Sequence, residues 1–216
     1  MCSLKARGFR TLSFSDVIDW VAGKKIFPMQ SVVLTFDDGY ASLYEKAFPL
    51  LEAMGFKATV FLTTGYCGKT NNWPTPISDI PLLPMLKWEQ IKEMARSVFD
   101  IQAHTISHPI LTNVPMEKLR AELTQSKAEI EGRLGKSAGF FAYPYGKFND
   151  RVYEMVHRYF DAACSTRLNF ADLHSDRYQL ERIDMYYFSG MFSSQIFGSP
   201  FLKSYLFLRQ LMRKFA

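Results

Sequence analysis

The chain has 216 residues, 48% hydrophobic and 22% charged, which suffices for one substantial core and excludes a disordered chain. Its net charge of +5 sits mostly at one end, because no acidic residue follows Asp184 while Lys203, Arg209, Arg213 and Lys214 do. A body left with +1 lacks the spread of basic residues that a nucleic-acid enzyme carries.

No apolar run reaches membrane-spanning length, and MCSLKARGFRTLSF has no apolar leader core. Cys2, Cys67 and Cys164 are odd in number and far apart, which argues against a disulfide framework or a cysteine zinc site. Cytoplasmic or membrane-peripheral residence is the default expectation.

In chain order, 13–22 (SFSDVIDWVA) predicts a short helix, capped by Ser13 or Ser15 and stopped by Gly23. Ser31–Tyr40 (SVVLTFDDGY) predicts a strand buried on both faces that runs into Asp37 and Asp38, where Gly39 lets the backbone turn. Leu43, Ala47, Leu50, Leu51 and Met54 follow at helical spacing, with Pro49 predicting a kink or break and Gly55 an end. Lys57–Thr64 (KATVFLTT) is a second strand, and strand, helix and strand in succession predict a parallel sheet.

Residues 65–86 hold Gly65, Gly68, Asn71, Asn72 and the prolines 74, 76, 81 and 84, the composition of a long functional loop. On it, Trp73 is either a substrate platform or a core-capping aromatic. Helices over 88–97, 115–134 and 149–160 then alternate with strands over 98–103, 140–142, 162–165 and 178–183. This order, without internal repeats, predicts an α/β chain with a (β/α) barrel as a single domain over 1–188 and a basic amphipathic tail over 189–216. The end of the tail, Phe201–Ala216, reads as a last helix packed on the core or as an interfacial segment for an anionic membrane.

Adjacent carboxylates at a strand exit repel, so Asp37 and Asp38 call for a neighbouring cation, most simply a metal ion. His104 and His108, in HTISH, follow the strand VFDIQA, and four-residue spacing places both imidazoles on one side of a helical turn. In a parallel barrel both loops leave the same face. Two histidines and one carboxylate then form a three-ligand site with a position open for water. Separately, the alternatives are a solvated acidic turn and a surface histidine pair; joint placement at two strand exits selects the metal.

TFDDG, HTISH and the Pro-Tyr-Gly after the strand Phe140–Ala142 resemble the polysaccharide deacetylases, the carbohydrate esterase family 4 homology domain, over Gly8–Asp184. The branch with the poly-N-acetylglucosamine deacetylases is the most similar. The resemblance implies a distorted, incomplete (β/α) barrel, TIM-like, that removes acetyl groups from N-acetylated sugars with a divalent metal. Zinc is expected first, with nickel, cobalt and iron fitting the same ligands. It makes Asp37 the general base, Asp38, His104 and His108 the ligands, and the Tyr145 N–H, held after Pro144, the oxyanion donor. Thr105 or Ser107 would orient a ligand histidine, and Trp73, Tyr143 and Tyr145, as exposed aromatics, would stack on sugar rings.

Departures from the pattern matter too. Ala142 and Tyr143 stand where many members carry an arginine that braces the base; Arg182 and Asp184 are candidates to replace it, or else a surface ion pair. No histidine follows His174 to act as general acid, and in the related branch that histidine lies upstream of a segment like LKARGFRTLSF. Weak hydrolysis with intact metal binding is therefore expected of this chain. The partner is an N-acetylated polysaccharide or lipid-linked glycan, with peripheral membrane contact through the tail and no nucleic acid. The alternative is a catalytically silent, metal-containing carbohydrate binder. A phosphatase using Asp37 is disfavoured by the two histidines.

Overall fold

The computed structural model describes residues 2–74, 81–185 and 201–212. The chain opens with a short helix α1 (Cys2–Ala6) and a two-residue strand β1 (Arg10–Thr11). Helix α2 (Phe14–Val21) follows, with Ser13 as its N-cap: the Ser13 hydroxyl accepts from the Asp16 N–H, and the Asp16 carboxylate accepts from the Ser13 N–H.

The stretch expected as one doubly buried strand is two. β2 (Ser31–Val32) pairs with β1, and β3 (Thr35–Phe36) begins the main sheet. Every side chain from Ser31 to Phe36 is only half-buried. The physical reason is position: β3 is an edge strand with one hydrogen-bonded neighbour.

The helix expected next starts as a wide π-helical turn over Leu43–Ala47 and becomes α-helical only in α3 (Phe48–Met54). Pro49 therefore lies in the first turn of α3, where its missing N–H costs nothing. Then come β4 (Ala58–Leu62), α4 (Trp88–Arg96), β5 (Phe99–Ala103) and α5 (Met116–Leu134). β6 (Phe140–Ala142), α6 (Asp150–Tyr159), β7 (Ala162–Leu168) and β8 (Leu180–Arg182) complete the pattern.

Strands β3 to β8 form one sheet in sequence order, each parallel to the next. The sheet curls into an incomplete (β/α) barrel. Its core, with Leu51, Val60, Leu62, Ile91, Met94 and Phe141 fully buried, joins the strands to helices α3 to α6. Each such side chain contributes about 1.5–3 kcal/mol by leaving water.

A final helix α7 (Phe201–Met212) seats Leu202 and Leu206 against Leu168 of β7. The boundary expected near residue 188 lies outside the described residues.

Candidate active site

All the side chains that matter leave the C-terminal ends of parallel strands, as in other (β/α) sheets. At the β3 exit Asp38 takes a left-handed φ of 70° and Gly39 one of 93°. A Cβ on Gly39 would stand 2.6 Å from Leu62 Cδ1, so only glycine lets this turn lie on β4. The Thr63 N–H donates to the Asp38 carbonyl at 3.2 Å, which ties the turn to the next strand.

His104 and His108 are brought together by a loop, not by the helical turn expected of their spacing. Thr105 (φ 69°) and His108 (φ 52°) are both left-handed, which folds HTISH back on itself. Thr105 Oγ1 accepts from the His108 N–H at 3.0 Å and donates to the His104 carbonyl. The buried Glu122 carboxylate accepts from the Ile106 N–H at 2.8 Å, the Ser107 N–H at 2.9 Å and the Ser107 hydroxyl. Thr105 and Ser107 thus shape the backbone of the loop, whereas the imidazoles are oriented by other groups.

The Nδ1 of His104 hydrogen-bonds the Ala142 carbonyl at 2.7 Å, which makes Nδ1–H the donor and leaves Nε2 a lone pair. The Nδ1 of His108 lies 3.0 Å from the Tyr145 hydroxyl. Both Nε2 atoms turn to Asp38 Oδ1, at 3.4 Å from His104 and 3.3 Å from His108, and they stand 3.2 Å from each other. A tetrahedral centre with bonds of about 2.0–2.1 Å has edges of about 3.3–3.4 Å. The three donor atoms therefore fit a zinc-like ion in spacing and in type, and they form the metal-type cluster found among the described residues.

Asp37 is the braced carboxylate of the pair. Both its oxygens accept from Arg182, Oδ1 from Nη1 and Oδ2 from Nη2, each at 2.7 Å. Arg182 Nε donates to the Ser165 carbonyl at 2.9 Å, and Nη1 also reaches Thr35 Oγ1 at 3.3 Å. One guanidinium on the last strand of the sheet thus grips a carboxylate at the end of the first. Burial would raise the Asp37 pKa, but the Arg182 charge and hydrogen bonds outweigh it and hold it at about 2. Asp184 is exposed, and its charge is felt by Arg182.

Burial disfavours charge on His104, yet the Asp38 hydrogen bond and the charges of both aspartates push its pKa up. Burial and the charge of His104 push His108 down to about 3.

The expected aromatics divide. Trp73 lies half-exposed against the His108 ring, centroids 4.5 Å apart, with Tyr66 edge-on to it at 5.4 Å. Tyr145, left-handed at φ 58°, packs on the other contact of that ring at 4.5 Å. Tyr143 is not an exposed platform: it is 1% exposed, stacks on Phe148 and donates its hydroxyl to the Tyr178 carbonyl. With Phe141 it belongs to the main core, whereas Ala142 between them faces a second buried cluster. Pro144 is buried beneath Tyr145, and a Cβ on Gly146 would collide with Thr166 Oγ1 at 1.9 Å, so the Pro-Tyr-Gly turn is pressed onto β7.

Three contributors escaped the sequence reading. Tyr40 receives the Asn71 amide on its hydroxyl at 3.4 Å; burial, then the Asp38 charge, raises its pKa to about 12. Asn71 also ties the long loop together, with its Oδ1 accepting from the Leu83 N–H at 2.7 Å. Glu122 is the third, and its signal was present: it lies within the stripe Leu119, Leu123, Ser126 and Ile130, all buried on α5.

A curled parallel sheet with a two-histidine, one-carboxylate cluster and a braced second carboxylate at its C-terminal end defines an incomplete (β/α)-barrel domain with a metal-type site. The chain belongs to the polysaccharide deacetylase family, whose profile matches residues 24–159.

Among similar proteins, the Bacillus subtilis protein YxkH is 26% identical over 181 residues, covering 83% of this chain and 60% of YxkH. The Staphylococcus aureus poly-beta-1,6-N-acetyl-D-glucosamine N-deacetylase is 28% identical over 156 residues, covering 68% of this chain and 51% of that protein. This chain thus spans between half and three-fifths of the length of these curated relatives. The Streptococcus pyogenes deacetylase PplD, solved in complex with acetate, superposes with a TM-score of 0.73 at 26% identity, over 84% of this chain and 76% of that one.

Proposed function

We propose that this chain removes acetyl groups from an N-acetylated aminosugar polymer by metal-dependent amide hydrolysis. The observation that carries the reading is the convergence of Asp38, His104 and His108 within 3.2–3.4 Å of one another, with an ionised Asp37 beside them. The S. aureus relative, named for N-deacetylation of poly-N-acetylglucosamine, supports the substrate class.

Asp38 Oδ1 and the two Nε2 atoms would hold the ion, and zinc suits this mix of nitrogen and oxygen donors better than magnesium or calcium would. When bound, such an ion acts as a Lewis acid toward a carbonyl oxygen and makes water more acidic. Asp37, kept ionised and aimed by the Arg182 fork, receives the proton of the attacking water. The Tyr145 backbone N–H, set in its left-handed turn on Pro144, donates to the oxyanion. Trp73 and the ring of Tyr145 flank His108 and offer apolar faces to a sugar ring.

A second reading is a metal-containing glycan binder with little turnover. It is favoured by the placement of the two remaining histidines: His157 lies on α6 against Tyr178, and His174 is in an exposed loop. Neither stands at the site to protonate a leaving amine.

The test is metal analysis of the purified protein together with acetate release from poly-N-acetylglucosamine and chito-oligomers. Stoichiometric metal, measurable release and a loss of about 10²–10³-fold in Asp37→Asn at unchanged metal content are expected. Full metal occupancy with no release from either glycan would select the binder, and no metal at all would remove both readings.

A further inference from the structure

Helix α7 is apolar on two sides. Leu202 and Leu206 are buried against Leu168, whereas Phe207, Leu208 and Met212 point outward at 66%, 57% and 53% exposure. Exposed apolar side chains grouped on one side of a helix mark a contact surface. What covers the outer side of α7 is indicated by charge. Lys203 is exposed on this helix, Arg209 follows within it, Arg213 and Lys214 come next in the sequence, and no acidic residue occurs after Asp184. The buried core of a protein–protein interface is depleted in lysine, whereas aromatic and aliphatic side chains flanked by lysine and arginine compose helices that lie in a lipid headgroup region.

We propose that α7 docks on the surface of an anionic lipid bilayer, with Phe207 and Leu208 entering the boundary between headgroups and acyl chains and Lys203 facing lipid phosphates, while Arg209 is held by the Tyr205 hydroxyl at 3.0 Å. The contact is peripheral, since among the described residues no helix is long and apolar enough to cross a membrane. The docking has a direction. Leu168, which seats α7, is paired in register with Arg182, and Arg182 holds Asp37. The helix therefore sits at the end of the sheet from which the candidate site opens, and docking brings that opening close to the lipid surface. If the site is the deacetylase proposed above, its substrate is a glycan held at that surface; the lipid contact itself does not rest on that reading.

The experiment is flotation of the intact chain with vesicles of phosphatidylcholine alone and of phosphatidylcholine mixed with phosphatidylglycerol. Partitioning onto the mixed vesicles is expected to exceed that onto the neutral ones by at least about 10-fold and to fall as salt is added. Lys203→Glu and the double variant Phe207→Ser/Leu208→Ser are each expected to weaken it by about 5- to 10-fold or more, with unchanged circular dichroism. A Phe207→Trp variant should shift its emission to the blue on mixed vesicles and not on neutral ones. Equal partitioning on both vesicles, or undiminished binding by the double variant, would overturn the proposal. So would a concentration-dependent dimer that the double variant abolishes, because a second copy would then be the cover. Acetate release is not read here, so inactivity on soluble glycans leaves the outcome unaffected.

Discussion

Asp37 is held by two equal hydrogen bonds from one guanidinium, and that fork fixes both its charge and its direction. Lysine can supply the charge but not the second bond, so Arg182→Lys should lower kcat/KM by about 10²-fold while metal content stays the same. Steady-state kinetics beside metal analysis checks this; a loss of metal would mean that Arg182 supports the cluster and not the carboxylate.

The same contact has a pH signature. Asp37 sits at about 2 against an ordinary 3.8, so the unfolded chain binds the proton more readily. Ionised Asp37 therefore stabilises the fold above pH 4, and this contribution is lost as pH falls from about 4 toward 2. Urea midpoints across that window should fall less steeply in Asp37→Asn than in the natural sequence.

At this scale the motif residues were legible, because chemistry demands their types. Arg182 was legible as a replacement once Ala142 and Tyr143 were seen to offer no cation. The left-handed backbone of Asp38, Thr105, His108 and Tyr145 was not, since none of these is the glycine that normally announces it.

Among the elements, α5 supports the site from a distance. Its Glu122 gathers two backbone N–H groups and a hydroxyl of the HTISH loop. Glu122→Gln keeps one oxygen acceptor and loses the charge, so a destabilisation of about 1–3 kcal/mol is expected. Denaturant unfolding measures it, and a change below about 0.5 kcal/mol would show that water replaces the carboxylate.

The long helices and the five-residue strands were readable from periodicity and apolar runs. β3 was not, for a different reason from any lack of pattern. Val32, Val33 and Leu34 look like a continuous run, but the chain changes partners between Ser31–Val32 and Thr35–Phe36, and only tertiary packing decides that switch. Pro49 was read as a kink or break; it lies in the first turn of α3, just after the π-helical turn over Leu43–Ala47.

For the molecule as a whole, the donor cluster joins loops that leave β3 and β5, so any ion bound there adds a link between two parts of the sheet. Binding that favours the folded state stabilises it by about 4 kcal/mol at a thousandfold excess over Kd. Chelation should therefore lower the melting temperature by several degrees and abolish acetate release together, and zinc should restore both. Activity lost on chelation with an unshifted melting curve would place the ion elsewhere.

The Arg182 fork has one more implication, for anyone choosing where to cut the gene. The segment matched by the family profile stops at residue 159 and includes Asp37, Asp38, His104 and His108. A fragment trimmed to it would keep every ligand-type side chain and would score as a complete domain. It would also lose β7 and β8, and with them the cation that neutralises Asp37. Such a fragment should still take up metal but hydrolyse nothing, an inert product of a boundary drawn by resemblance alone.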